Sequence, residues 1–169
     1  YQSWSVSQLY KKSGILPILL GASIRDSIQG DTMDVKEYNQ KIIEEFRANS
    51  GVVGGRFKGA NLLLLHSIGA KTGETRINPL AYFEDAAEIL IVASFAGGPN
   101  NPPWFYNLLA NPQARIEVGR SNYSVEAEVV AEPPRTELYD MIAAQSSAFA
   151  EYRDKTTRTI PIIRLTKTQ

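Results

Sequence analysis

Residues Gly69 to Leu80, Gly-Ala-Lys-Thr-Gly-Glu-Thr-Arg-Ile-Asn-Pro-Leu, gather the residue types that hold an anion, directly after the apolar run Leu62 to Leu65. Lys71 and Arg76 supply positive charge, and Thr72 and Thr75 supply hydroxyl donors. Gly69 and Gly73 give the backbone the freedom of a tight turn, so amides and cations can surround a phosphate from several sides. A solvated hairpin turn uses the same residue types. The segment alone leaves both readings open.

Little else in the chain competes for chemistry. There is no cysteine, which removes disulfides, thiol catalysis and cysteine-ligated metals together. The single histidine, His66, leaves no histidine-rich metal centre, and no nucleophile-elbow pattern accompanies it. We therefore expect no metal, and read His66, at the end of a strand, as a structural donor rather than a catalyst. The 18 basic and 18 acidic residues balance, so no broad attraction to nucleic acid is expected and any anion site must be local. At 169 residues and 43% apolar content the chain is long enough for one domain with a real core. The absence of cysteine makes a reducing cytoplasm the default compartment.

The elements that must position the turn are legible from Asp34 onward. Val35, Tyr38, Ile42, Ile43 and Phe46 recur at helical spacing and predict an amphipathic helix ending near Asn49 to Gly51. A loop at Gly54 to Gly59 leads into a short buried strand over Asn61 to Ser67. Arg76 to Phe83 and Ile89 to Ser94 read as the next two strands, joined by Glu84 to Glu88. Phe95 to Pro103 is a loop opening a helix over Trp104 to Ala110. Ala114 to Val118 and Tyr123 to Ala131 form a further pair around the turn at Gly119 to Asn122. A helix from Pro134 to Ala144, a polar connection, and a last strand over Thr159 to Leu165 complete the chain. Pro161 predicts an edge or bulge position for that strand. About six strands without a βαβ rhythm predict a mainly β, antiparallel barrel with flanking helices.

Residues 1–32 differ in character and read as an N-terminal extension ahead of a domain over 33–169. Ile15 to Leu20 is apolar but broken by Pro17, far short of the roughly 20 residues a membrane span needs. A docking arm, a peripheral membrane contact and a processing remnant all fit, as does a non-native addition.

Five blocks occur in order: Gly69-Ala-Lys-Thr-Gly with Arg76-Ile-Asn-Pro-Leu; Val92-Ala-Ser94; Gly97-Gly-Pro-Asn-Asn-Pro-Pro-Trp104; Asn107-Leu-Leu-Ala-Asn-Pro112; and Arg158-Thr-Ile-Pro-Ile162. Over roughly residues 35–166 the chain resembles the deazaflavin-dependent nitroreductase family. The resemblance implies a split β-barrel of the FMN-binding type that binds coenzyme F420 and passes hydride from its reduced form to an organic acceptor: a quinone, an enone or other activated alkene, or a nitroaromatic. FMN in place of F420, and a non-catalytic F420-binding protein, are the alternatives.

By that resemblance Lys71, Thr72, Arg76 and Asn78 hold the coenzyme's phosphate and tail, with Lys58 a weaker candidate. Val92, Ala93, Ser94, Phe95 and Ala96 lie along the ring, and Trp104 and Asn107 sit near ring and tail. Tyr152 is the first candidate for proton donor or acceptor-orienting hydroxyl, and Ser94 the second. Three departures stand out. Ala70 replaces a common second cation and so lacks a charge-assisted hydrogen bond worth on the order of 1.5–3 kcal/mol. Phe95 replaces a lysine, and Phe149 and Lys155 change the acceptor wall near Tyr152. The partners implied are a small-molecule acceptor and, for self-association, either a monomer or a homodimer.

Overall fold

The computed structural model describes residues 34–168. The N-terminal extension expected over residues 1–32, with its docking or membrane role, lies outside the described residues.

Helix α1 spans Val35–Ala48 and buries Ile42, Ile43 and Phe46, one face of the predicted periodicity. Its chain reverses through Ser50 and Gly51 at positive φ. Gly51 is required there, because a side-chain carbon would come within 2.8 Å of the Gly119 Cα. That approach pins the end of α1 to a turn of the barrel 68 residues away in sequence.

The barrel strands are β1 (Leu62–Ile68), β2 (Thr75–Asp85), β3 (Glu88–Val92), β4 (Gln113–Val118), β5 (Ser121–Val129) and β6 (Ile162–Lys167). All neighbours are antiparallel and the barrel closes in the order β1-β2-β3-β6-β5-β4. The mainly β, antiparallel split-barrel reading therefore holds. The first four residues of β1, Leu62 to Leu65, are a continuous apolar run because both faces of the strand are covered there. Leu63 and Leu65 enter the barrel core with Ile91, Ile116 and Ile163, while Leu62 and Leu64 pack with Ile42, Ile43 and Phe46 of α1. Each of these fully covered side chains contributes roughly 1.5–3 kcal/mol relative to exposure.

Three further helices surround the barrel: α2 (Pro103–Ala110), α3 (Pro134–Gln145) and α4 (Ser147–Lys155). Helices α3 and α4 cover β3 and β6 through Tyr139, Ile142, Ala148 and Tyr152, packed with Leu90, Val92, Ile160 and Ile162.

Two local expectations change. The polar connection before the last strand contains α4, whose buried residues are only Ala148 and Tyr152, too sparse a stripe to stand out in sequence. Pro161 does not mark an edge strand: β6 begins at Ile162 and is paired on both sides, with β3 and with β5. With β3 on one side of β6 and β5 on the other, the proline is not at an edge; it lies just outside the ladder, where its carbonyl accepts the Ala93 amide at 2.9 Å.

The ladder between β2 and β3 covers only Tyr82–Asp85 and Glu88–Ile91. The earlier half of β2, Thr75–Ala81, pairs with β1 alone. Pro79, which has no N–H to give, sits in this one-sided half opposite Leu64. Past Tyr82 and Ile91 the β2–β3 ladder ends, which makes a seam at this end of the closed barrel.

Candidate active site

Antiparallel order decides which loops meet. The end of β1, the start of β2, the end of β3 and the start of β6 all lie at one end of the barrel. The β1–β2 turn with Lys71, the exit loop of β3 with Ser94 to Gly98, and the approach to β6 from Arg158 to Pro161 therefore surround one mouth, at the seam.

The turn closes by hydrogen bonds from the Gly69 amide to Glu74 O and from the Gly73 amide to Gly69 O, both 2.8 Å. Gly73 has φ +70°, which favours glycine. Lys71 and Thr72 are exposed on it. The Thr72 hydroxyl oxygen accepts the Glu74 amide at 3.3 Å. Arg76 is exposed as well, with Nη2 2.7 Å from Glu74 Oε2, so part of its charge is already answered by a neighbour. Asn78 and Val92 follow inward along β2 and β3, half-buried and buried respectively.

Helix α2 ties the turn to the barrel. The Asn107 side-chain oxygen accepts the Ala70 amide at 2.9 Å, and its nitrogen donates to the Ser67 hydroxyl at 3.2 Å. Trp104, one turn earlier, is 2% exposed and belongs to the barrel core. Its indole N–H has no acceptor among the described residues. Trp104 thus sits as an anchor of α2. Phe105, Leu108 and Leu109 of α2, with Pro112 after it, line a groove of about 260 Å³ against Ala127, Glu128, Val129 and Ile163.

The β3 exit loop is the most constrained backbone in the site. Ala93 and Ser94 are buried, and Phe95, Ala96 and Gly97 follow with φ of 48°, 53° and 77°. Left-handed backbone costs an L-residue roughly 1–2 kcal/mol, so two such residues ahead of a glycine need support. Arg158 provides it. Its Nε donates to Gly98 O at 2.9 Å, Nη1 to the Asn101 side-chain oxygen at 2.6 Å, and Nη2 to Ala93 O and Ser94 O at 3.0 and 2.8 Å. Burial holds the Arg158 pKa below its ordinary value. This residue was visible only as part of a sequence block; nothing local marked it as a clamp.

Helix α4 backs the same loop. A side-chain carbon on Gly97 would lie 2.9 Å from Lys155 Cβ and 3.0–3.2 Å from the Tyr152 backbone. Tyr152 is 6% exposed. Its ring meets Phe149 edge-on at 5.4 Å, and the Lys155 ammonium lies 5.8 Å from its centre.

Residues 39–167 match the F420H(2)-dependent quinone reductase family. The chain belongs to that family. The motif blocks resembled the deazaflavin-dependent nitroreductases, and the quinone reductase family is a compatible and more specific assignment. An F420H(2)-dependent quinone reductase of Mycobacterium tuberculosis strain H37Rv is 37% identical over 126 residues, 72% of this chain and 85% of the relative. Among solved structures, an F420-H2 dependent reductase is 29% identical, covering 63% of this chain and 94% of its own, with a TM-score of 0.58. A second, a domain-swapped dimer, is 28% identical, covering 78% and 96%, with a TM-score of 0.60.

The histidine of this quinone reductase family member is held by charged neighbours. His66 is 6% exposed beneath α1, with Nε2 2.6 Å from Glu117 Oε1 and Nδ1 2.9 Å from Arg115 Nη2. Arginine can only donate, so Nδ1 accepts and the ring proton sits on Nε2, facing Glu117. Burial pushes the imidazole pKa down. Hydrogen bonding from Arg47 and then His66 holds the Glu117 carboxyl well down, to about 2. The structural reading of His66 fits this geometry. Lys58 directly follows the single turn Gly55–Phe57, ahead of β1. No described residues place three or more His, Cys, Asp or Glu to hold a metal ion, and no described helix is long and apolar enough to cross a membrane.

Proposed function

We propose that the protein is an F420H(2)-dependent reductase whose acceptor is a quinone. The observation that carries this is the meeting, at one barrel mouth, of an exposed cationic turn and a rigid backbone loop in a chain of the quinone reductase family. The two parts answer the two ends of the coenzyme, an anionic phosphodiester with its glutamate tail and a planar ring.

The residues present fit that group. Lys71, Thr72 and Arg76 would take the phosphate and the start of the tail, with Asn78 beside them. Ser94, Phe95 and Ala96 would offer backbone groups to the ring edge, held in a fixed arc, with Val92 and Ala93 alongside the ring as the strand end that carries it. Asn107 and Trp104 would act through α2, which sets the height of the turn above the mouth. Glu74 beside Arg76 and the apolar Ala70 make the grip on the tail looser than two unpaired cations would.

Reduced deazaflavin supplies two electrons as hydride, and a proton completes the change from quinone to quinol. The protein's part is to orient the acceptor and exclude water. Tyr152 would hold the proton at its hydroxyl or orient the acceptor oxygen, with the Ser94 hydroxyl second. The ring packing of Tyr152 on Phe149 and Lys155 fixes its direction. Enones and nitroaromatics are further acceptors of the same hydride.

Fluorescence titration with F420 and with FMN, followed by turnover on quinones, enones and nitroarenes, tests the proposal. F420 binding in the micromolar range, weaker FMN binding and quinone turnover are expected. Preference for FMN would overturn the coenzyme assignment, and F420 binding without oxidation by any acceptor would leave a binding protein instead of an enzyme.

A further inference from the structure

We propose that Arg158 is a positioning residue that shapes the ring-binding loop and acts on the coenzyme's ring alone, an inference that rests on the F420 reading above. Four of its five N–H groups are committed, and their acceptors bracket the left-handed run. Ala93 O and Ser94 O precede Phe95, while Gly98 O and the Asn101 side chain follow Gly97. The planar guanidinium therefore staples both ends of a three-residue arc that an L-chain would otherwise open toward extended backbone.

Three features separate this from ordinary loop packing. The acceptors are all neutral oxygens, three of them main-chain, so the contact fixes backbone direction instead of pairing two charges. The staple begins at Ala93, two residues past the end of the β2 ladder and one past Val92, the last β3 residue paired with β6, so it takes over just where strand pairing stops. Gly97 leaves no room on its other side, where Tyr152 and Lys155 of α4 stand within 3.2 Å of a side-chain carbon placed there. The arc is thus clamped between Arg158 and α4, and its Phe95 and Ala96 backbone can keep one orientation toward the mouth. Lysine cannot replace the clamp, because an ammonium offers three donors from a single point and has no planar fork.

Affinity for two ligands tests the assignment: whole F420, and 8-hydroxy-5-deazariboflavin, which keeps the ring and lacks the phosphodiester and glutamate tail. Arg158→Lys and Arg158→Gln should weaken both by the same factor, about tenfold or more. Lys71→Ala should weaken whole F420 and leave the fragment unchanged. Asn101→Ala removes a single one of the four contacts and preserves the fold. It should weaken both ligands about threefold with little change in Tm, which guards against a folding defect in the arginine variants. Equal fragment affinity in wild type, Arg158→Gln and Asn101→Ala overturns the proposal, as does full rescue by lysine or a loss confined to whole F420. A wild-type protein that binds neither ligand overturns the coenzyme reading itself, and is told apart from these results by the wild-type titration.

Discussion

The side-chain oxygen of Asn107 on α2 accepts the main-chain amide of Ala70 at 2.9 Å, joining a helix to the tip of a turn 37 residues earlier. The same carboxamide reaches the buried Ser67 hydroxyl at the end of β1. Asn107 thus sets where Lys71 stands, whatever else it touches.

Asn107→Leu should remove both bonds and leave the Ser67 hydroxyl buried without that donor. A cost of about 1–2 kcal/mol is expected, lowering Tm by roughly 2–8 °C for a chain of this size. F420 affinity should fall in parallel, because the turn loses its height. Thermal melts and titrations on one preparation check this, and unchanged affinity in a destabilised variant would detach Asn107 from the coenzyme.

Glu74 holds the Arg76 guanidinium in an exposed ion pair that would compete with the proposed coenzyme contact. Exposed pairs of this kind are worth about 0–1 kcal/mol, so Glu74→Gln should tighten F420 by no more than about fivefold. Lys71→Ala with Arg76→Ala should weaken it strongly. Both effects should shrink as salt is raised. Titrations at low and high ionic strength decide it, and a double variant that binds as wild type does would remove the turn from the site.

Tyr152→Phe keeps the packing against Phe149 and deletes only the hydroxyl. Turnover with a quinone should drop by about 10²-fold or more if the hydroxyl donates the proton, while the F420 Kd stays within about twofold. Steady-state kinetics beside binding separates the two. No change in kcat would end the assignment.

Acid should loosen α1 in two stages. The folded His66 pKa is depressed, so the folded state binds fewer protons than the unfolded chain. Its contribution is present above the unfolded value of about 6.5 and is lost as pH falls below it. Glu117 is also depressed, from 4.5 to about 2, and its contribution, on the order of 2–3 kcal/mol, is lost between those values. Stability should thus decline from about pH 6.5 downward and more steeply below 4.5. Tm against pH for wild type, His66→Asn and Glu117→Gln tests this: the glutamine variant should flatten the acid limb, and an unaltered limb would refute the coupling.

The sequence by itself determined the parts whose causes are local. The spacing of Ile42, Ile43 and Phe46 set a helix, because one face must leave water. The unbroken Leu62 to Leu65 run required a strand covered on both sides. Gly69 and Gly73 determined a tight turn that leaves Lys71 exposed, and the ordered motif blocks placed the chain among deazaflavin enzymes. Tertiary structure alone decided the relations that depend on closure. Arg158 reaches Ala93 across 65 residues, His66 reaches Glu117 across 51, and neither pair leaves a periodic trace. The sparse apolar face of α4 shows its purpose only once β3 and β6 stand beneath it. Pro161 resembled an edge marker, yet the strand that follows it is paired on both sides, by β3 and β5. A short-range pattern records which face of an element leaves water; which distant partner fills the remaining hydrogen bonds is settled only when the sheet joins its own ends.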